Sequence, residues 1–481
     1  MLPLQLKIIA GVLILIDLAY CIGIGFWTKG GSHNAEDYFI GGKSTGTILL
    51  TLTAWASFSG AGNFIGQAGR GCLEGVSAYW LYLGEGFCGG ILMGYVIAPF
   101  IARFRYMSMP HMISDYLAGG DVTVRRIGGF AALMPNAVWP ASQIMGVAYV
   151  IQQLFGIDYR IAVIVCGAIF ILYTTTGGVK AVIYADAFHG IIQMVLAAFV
   201  IYFGLKSFNF DFPGLFKTVE SIDPTHADLF VNGPIVNLTG FLTGLVGATS
   251  NPIFWNRAFA AKDVSTAKKA YGFTFFCNII MVFLILTIGI STWTMNQEIG
   301  DQALVWLILN KMPSFCSVLL GVGVLAACLS CADTHLNCAA ANIVTDIIDP
   351  EGKLPGEKSV KYGSIATFCT GVFAIFAGLF ANFIYQLGTF GYTICGGVLI
   401  PAFVIGLIYR DRKSEEFRSG MSVSVFKVGM GLGVVAGLAF EIVPALHTML
   451  GGGVLPAIVF TTVGMLVSNM FFHDQTEKAA A

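Results

Sequence analysis

The chain of 481 residues is 56% hydrophobic and 11% charged, with a formal net charge of −1. A disordered chain has the opposite balance, a nucleic-acid binder needs a basic face that this sequence does not supply, and the 59 glycines show no Gly-X-Y period. A soluble protein of this size would lack the charged surface to cover its cores, which leaves a multi-span membrane protein.

In chain order, apolar runs of roughly 20 residues mark the expected crossings. Thirteen are found: Leu4–Trp27, Thr45–Gly69, Val76–Ala102, Ile127–Phe155, Ile161–Thr176, Val182–Leu205, Leu238–Trp255, Tyr271–Thr294, Phe315–Ile343, Val360–Ala381, Ile384–Tyr409, Val423–Val443 and Val454–Phe471. Lipid offers backbone groups no partner, so all thirteen are expected to be helices and the fold class all-α. The first run is too long, and lacks the basic leader, for a cleavable signal. The 11 cysteines are odd in number and mostly sit inside apolar runs, which is small-apolar usage rather than a disulfide framework. With the N-terminus outside and the C-terminus inside, 20 of the 26 basic residues fall in inner loops. The segment from Lys206 to Asn237 is then an outer loop.

Two spans are unusual. Span two carries Ser57-Phe58-Ser59-Gly60-Ala61-Gly62-Asn63, and span seven carries Gly244-Leu245-Val246-Gly247-Ala248-Thr249-Ser250-Asn251-Pro252. Small residues at mid-membrane depth serve close packing in many helices. Two such stretches, five spans apart, fit a pair of five-helix units of opposite orientation with a broken helix in each, the pointer to a transporter site at the midplane. The first unit is residues 45–205 and the second 238–409, with 4–27 and 423–471 peripheral, all within one membrane domain of residues 1–481.

Ionisable residues inside spans are costly and so mark candidate sites. Asp186, His189 and Gln193 share one face of span six, although Asp186 is also near enough to the inner end to be wetted. Glu85 is deeper, with no basic residue in a neighbouring span, which favours a site role over a structural pair. Asp17 in span one lies outside the repeats and reads as a structural contact. Span nine holds Ser330, Cys331, Asp333, Thr334 and His335 in one run. Ser330 and Thr334 can present hydroxyls to a hard cation or bond back to their own helix. Cys331, His335 and Cys338 share a face at soft-metal spacing without an evident fourth ligand, and His335 is equally a proton carrier or a core histidine. No G-x-x-x-x-G-K-[ST] motif or catalytic constellation is present, so an ion gradient or passive flow must drive transport.

Four ordered motifs resemble the sodium:solute symporter family: Asp37-Tyr38-Phe39-Ile40-Gly41-Gly42-Lys43, the Gly177–Asp186 run, Asn256-Arg257 with Ala260-Ala261-Lys262-Asp263, and Ser330-Cys331-Ala332-Asp333. The resemblance implies a thirteen-helix, LeuT-like bundle with broken second and seventh helices. It implies a sodium site at Ala56, Ser59, Ala327, Ser330 and Cys331, although the family usually has a hydroxyl where Cys331 stands. Asp186 and Asp333 then belong to a second cation or to the release path. The implied substrate site holds Asn63, Tyr82, Glu85, Gly247 and Asn251, walled by Trp139 and Trp255. The expected activity is non-enzymatic: Na+-coupled symport of a small organic solute by alternating access, without cofactors, in the plasma (cytoplasmic) membrane and as a monomeric unit. Proton coupling, or a channel or sensor on the same fold, is the alternative. The unpaired Glu85 points to a cationic or amine-bearing solute.

Overall fold

A computed structural model of the chain describes residues 3–28, 43–381, 384–409 and 419–480. Of the 37–43 motif only Lys43 lies within them, and the basic residues Lys29, Arg410, Arg412, Lys413 and Arg418 lie outside. Among the described residues there is no β-sheet; one bridge joins Thr45 to Ala261. Among the helices are α1 (Leu4–Thr28), α2 (Thr47–Phe58), α3 (Gln67–Glu74), α4 (Val122–Phe155), α5 (Tyr159–Lys206), α6 (Gly233–Ser250) and α7 (Pro252–Phe259). They continue as α8 (Val264–Trp293), α9 (Ser314–Ala341), α10 (Gly356–Phe380), α11 (Ile384–Ile408), α12 (Val423–Ile442) and α13 (Val454–Ala480). Residues 75–101 form a further helical stretch that alternates α, 3-10 and π turns.

Nine helical segments among the described residues are long and apolar enough to cross a membrane, so the protein is multi-pass. Expected spans two, four and seven are not among the nine: two and seven are each cut in two, and four, within α4, is long but less apolar, with Asn136, Ser142, Gln143, Gln152 and Gln153 along it. Expected spans five and six are instead one helical element, α5, of 48 residues, from which Val182–Lys206 is among the nine and Tyr159–Leu172 is a shorter apolar stretch. Local sequence explains the helix ends. Asp121, Asp158 and Asp263 accept backbone N–H bonds at the starts of α4, α5 and α8, and left-handed Gly156 closes α4. These caps satisfy donors that a helix start leaves open.

The two breaks differ in construction. α2 ends at Phe58, and the chain bends through Ser59 and Gly60 before re-entering a π turn at Gly62–Gly66. A Cβ on Gly60 would collide with Gln143 Oε1 and with Cys331, so this bend admits only glycine. Gln143 Oε1 accepts the Ala61 N–H at 2.7 Å, meeting one donor freed by the bend. α6 ends at Ser250, Asn251 leaves helical geometry, and Pro252 opens α7. Asn251 Oδ1 caps Ile253 N, and the Trp255 indole returns to the Thr249 carbonyl at 2.8 Å.

Two large apolar cores flank this level. One gathers Phe64, Met145, Ile285, Leu304 and Leu320, and the other Phe58, Phe254, Trp255, Tyr271 and Phe426. Between them Trp139, Cys331 and Tyr392 make a small cluster of their own. Glycines let the stretch 75–101 cross α6 in backbone contact: a Cβ on Gly244 would enter the Leu81 carbonyl and the Glu85 amide. Gly244→Val should therefore destabilise the purified protein by about 3 kcal/mol or more, read as a lowered melting temperature in detergent. Gly240→Val, whose nearest neighbour is Trp80 Cβ at 3.9 Å, should leave it unchanged.

Candidate functional site

Asp186 is fully buried on α5, with His189 and Gln193 on the same buried face. Its carboxylate is filled on both oxygens. Oδ2 accepts from Thr53 at 2.6 Å, from Ser57 at 3.1 Å and from the Arg257 guanidinium at 3.0 Å. Oδ1 accepts from Ser330 at 2.7 Å. Arg257, on α7, is 3% exposed and also donates to Thr53 at 3.0 Å and to Thr334 at 2.9 Å. Four helices thus meet at one ion pair: α2 through Thr53 and Ser57, α5 through Asp186, α7 through Arg257, and α9 through Ser330 and Thr334.

Two readings from sequence change here. Arg257, counted there as an inner-loop charge, is a buried partner of Asp186. Asp186, placed near a wetted end, has no solvent contact. Ser57 opens the polar run that marks span two, whereas Thr53 had no motif to announce it; its one signal is that it precedes Ser57 by four residues, on the same helix face.

The predicted sodium ligands surround the same bend. Ser59 Oγ is buried and makes no hydrogen bond, so it is open to a ligand. The Ala56 carbonyl accepts from Gln193 at 3.3 Å. Ser330 is committed to Asp186, and the Cys331 thiol accepts the Trp139 indole N–H at 3.1 Å. Ala327 is buried one turn before them on α9. Asp333 accepts from Thr334 at 3.3 Å.

The predicted substrate residues fall into two groups. Glu85 is 3% exposed and accepts from Gln67 at 3.3 Å. Arg70 also acts on Glu85 electrostatically, so a basic group is present in the second half of the broken span, contrary to the sequence reading. Gly247 packs under the Tyr392 ring, which stacks on Trp139 at 5.5 Å and sits beside Asn251. These residues line one region between the two breaks. Three others turn elsewhere: Asn63 Nδ2 donates back to the Phe58 carbonyl, the Tyr82 hydroxyl donates to the Ile279 carbonyl, and Trp255 is wholly buried against Phe403. A cavity of about 820 Å³ is lined by Arg70, Glu74, Trp80, Thr243, Glu441 and His447. Tyr392 is the wall residue that the sequence reading missed; it lies in an apolar run without a motif.

The soft-metal face on α9 does not converge. Cys331 pairs with Trp139, His335 Nδ1 with Asn136 Oδ1 at 2.8 Å, and Cys338 with Asn256 at 3.3 Å. Asp17 makes the helix contact expected of it, with His189 at 3.0 Å.

Residues 38–416 match the sodium:solute symporter family. The chain belongs to the sodium:solute symporter family. It is 21% identical, over 91% of its own length and 92% of the relative's, to the osmoregulated proline transporter OpuE of Bacillus subtilis (strain 168). Its fold is similar to that of a Na+-coupled sialic acid symporter in a substrate-bound outward-open state, with a TM-score of 0.76, 16% identity, and 96% and 98% of the two chains covered. The fold of Mhp1, a nucleobase-cation-symport-1 family transporter in a closed conformation with bromovinylhydantoin bound, is more distant, with a TM-score of 0.53, 14% identity, and 90% and 94% covered.

In this symporter-family chain the ion pair has a measurable signature. Removing one partner leaves a buried, uncompensated charge, so Asp186→Asn or Arg257→Gln alone should cost about 3–5 kcal/mol of stability. The double variant should lose clearly less than the sum of the two, a coupling of at least about 2 kcal/mol in a double-mutant unfolding cycle. Additive losses would contradict the pairing.

Proposed function

We propose that the chain is a Na+-coupled symporter of a small, amine-bearing organic solute, in which Na+ and Arg257 exchange places on Asp186. The observation that carries this reading is the convergence of Thr53, Ser57, Asp186, Ser330 and Thr334 oxygens at the bend of a broken helix. Carboxylate and hydroxyl oxygens suit a hard alkali cation. In the state described here the guanidinium supplies the positive charge. Na+ entering beside Ser59, the Ala56 and Ala327 carbonyls, Ser330 and Cys331 would compete for the same carboxylate and release α7. Because α7 is the second half of the other broken helix, its release is a route from ion binding to opening of the bundle.

Membership in the family supports Na+ coupling, as does the fold likeness to a Na+-coupled symporter. The solute class rests on Glu85 beside the Trp139–Tyr392 wall, a carboxylate next to aromatic faces that favour a cation. Its amine would face Glu85, with Asn251 and the Gly247 level beneath the rest of the molecule. The relative named as a proline transporter carries, by that name, a small amine-bearing solute.

The thirteen-span arrangement, with inverted repeats at 45–205 and 238–409 and the N-terminus outside, belongs to the same proposal. It is supported by contacts between ends assigned to one side. Inside, Arg125 pairs with Asp346 and Lys427 with Asp121; outside, Trp80 donates to the Leu229 carbonyl and His226 stacks on Trp293. The working site is a monomeric unit in the plasma (cytoplasmic) membrane.

Proton coupling is the second reading, favoured by Arg257 already neutralising Asp186 and by a thiol at Cys331. Proteoliposomes separate the two. The solute is first selected by a thermal-shift screen of sugars, amino acids, vitamins and quaternary amines, with and without Na+. Uptake is expected to need an inward Na+ gradient, and Cys331→Ser should lower the Na+ half-saturation several-fold. Uptake indifferent to Na+ but driven by a pH step would move coupling to protons through Glu85, Asp186 or His335. An unchanged half-saturation would remove Cys331 from the ligand set.

A further inference from the structure

Among the described residues, Asp17, Cys21 and His189 bring one ligand atom each to within 4.8 Å of one another. Asp17 and Cys21 are four residues apart and share one face of α1. That face is buried at 3% and 0% exposure, whereas Leu15, Ile16 and Ile22 on the rest of the helix are 66%, 57% and 46% exposed. α1 therefore presents lipid-facing apolar surface and one buried polar stripe. His189, from α5, is aimed at that stripe: its Nε2 lies 3.0 Å from Asp17 Oδ1 and 3.4 Å from Cys21 Sγ.

Hydrogen bonds alone do not satisfy this trio. An imidazole nitrogen offers one N–H or one lone pair, so Nε2 serves one of its two neighbours and not both. Asp17 Oδ2 and His189 Nδ1 are also buried without a hydrogen-bond partner. Unmet polar atoms at membrane depth are an expensive way to hold two helices together.

We propose that Asp17, Cys21 and His189 are a binding site for a borderline divalent transition-metal ion of the Zn2+ class, which staples α1 to α5. The ligand set fits. Tetrahedral bond lengths to zinc place a nitrogen and an oxygen about 3.3 Å apart, and a nitrogen and a sulfur about 3.6 Å apart. The distances present, 3.0 and 3.4 Å, reach those values with small side-chain shifts. A carboxylate and a thiolate neutralise a divalent ion, so the filled site brings no net charge into the membrane. Ca2+ and Mg2+ demand more oxygens than the trio offers, and thiolate with imidazole selects the zinc class. Three protein ligands leave a fourth position for water.

The consequence reaches the transport machinery. His189 follows Asp186 by three residues on the same face of α5, so an ion on His189 also fixes the helix that presents Asp186. The site stands apart from the coupling reaction, and its failure would leave the transport proposal untouched.

The test uses full-length protein in detergent, stripped by a chelator and titrated with Co2+ and, separately, with Zn2+. One equivalent of either ion should bind, Co2+ should give a thiolate-to-metal charge-transfer band, and Zn2+ should raise the melting temperature. Cys21→Ser should abolish the band and weaken binding at least tenfold. Cys338→Ser, which removes a thiol on α9 bonded to Asn256, should keep both. Folded wild-type protein that binds no stoichiometric ion, or a band that survives in Cys21→Ser, overturns the proposal.

Discussion

The structure depends on one ion pair, Asp186 with Arg257, held far from water. Removing two charges from solvent costs several kcal/mol per ion, and their mutual attraction offsets this only when the remaining donors and acceptors are also met. Here they are met by Thr53, Ser57, Ser330 and Thr334, each from a helix that a transport cycle would have to move. The pair is therefore a structural lock. In the proposed reading it is also the ion-sensitive element: a cation that bonds Asp186 would weaken its hold on Arg257 and free α7 from α5.

The surroundings make such a lock workable. Gly60 allows α2 to end where Gln143 and Cys331 close in, and Gly244 allows α6 to lie directly on the stretch 75–101. These close approaches put the two broken helices side by side, with the Trp139, Cys331 and Tyr392 cluster between the large cores. Glu85 and the cavity of about 820 Å³ share Arg70 as a neighbour, so one basic residue links the two.

Much of this was legible in the sequence. Glycine and polar runs at Ser57–Asn63 and Gly244–Pro252 announced both breaks, and the Asp186, His189, Gln193 spacing announced a buried face. Two basic residues misled. Arg257 and Arg70 sit close to predicted span ends, where the rule for loop charges assigns them to water, yet each is less than one-tenth exposed. Arg70 pairs with Glu74 four residues on in its own helix, whereas Arg257 pairs with Asp186 on another, a tertiary contact that no spacing within one segment shows. The same limit explains span nine: Cys331, His335 and Cys338 share a helix face, but Trp139, Asn136 and Asn256 claim them separately. The trio that does converge draws its ligands from two helices 168 residues apart.

The central claim is that Asp186 exchanges Arg257 for Na+. The most direct measurement is the melting temperature of the purified protein in NaCl against KCl at equal ionic strength. The account predicts a saturable rise with Na+, none with K+, and loss of the response in Asp186→Asn. Equal melting in the two salts, or a Na+ response that survives Asp186→Asn, would contradict it.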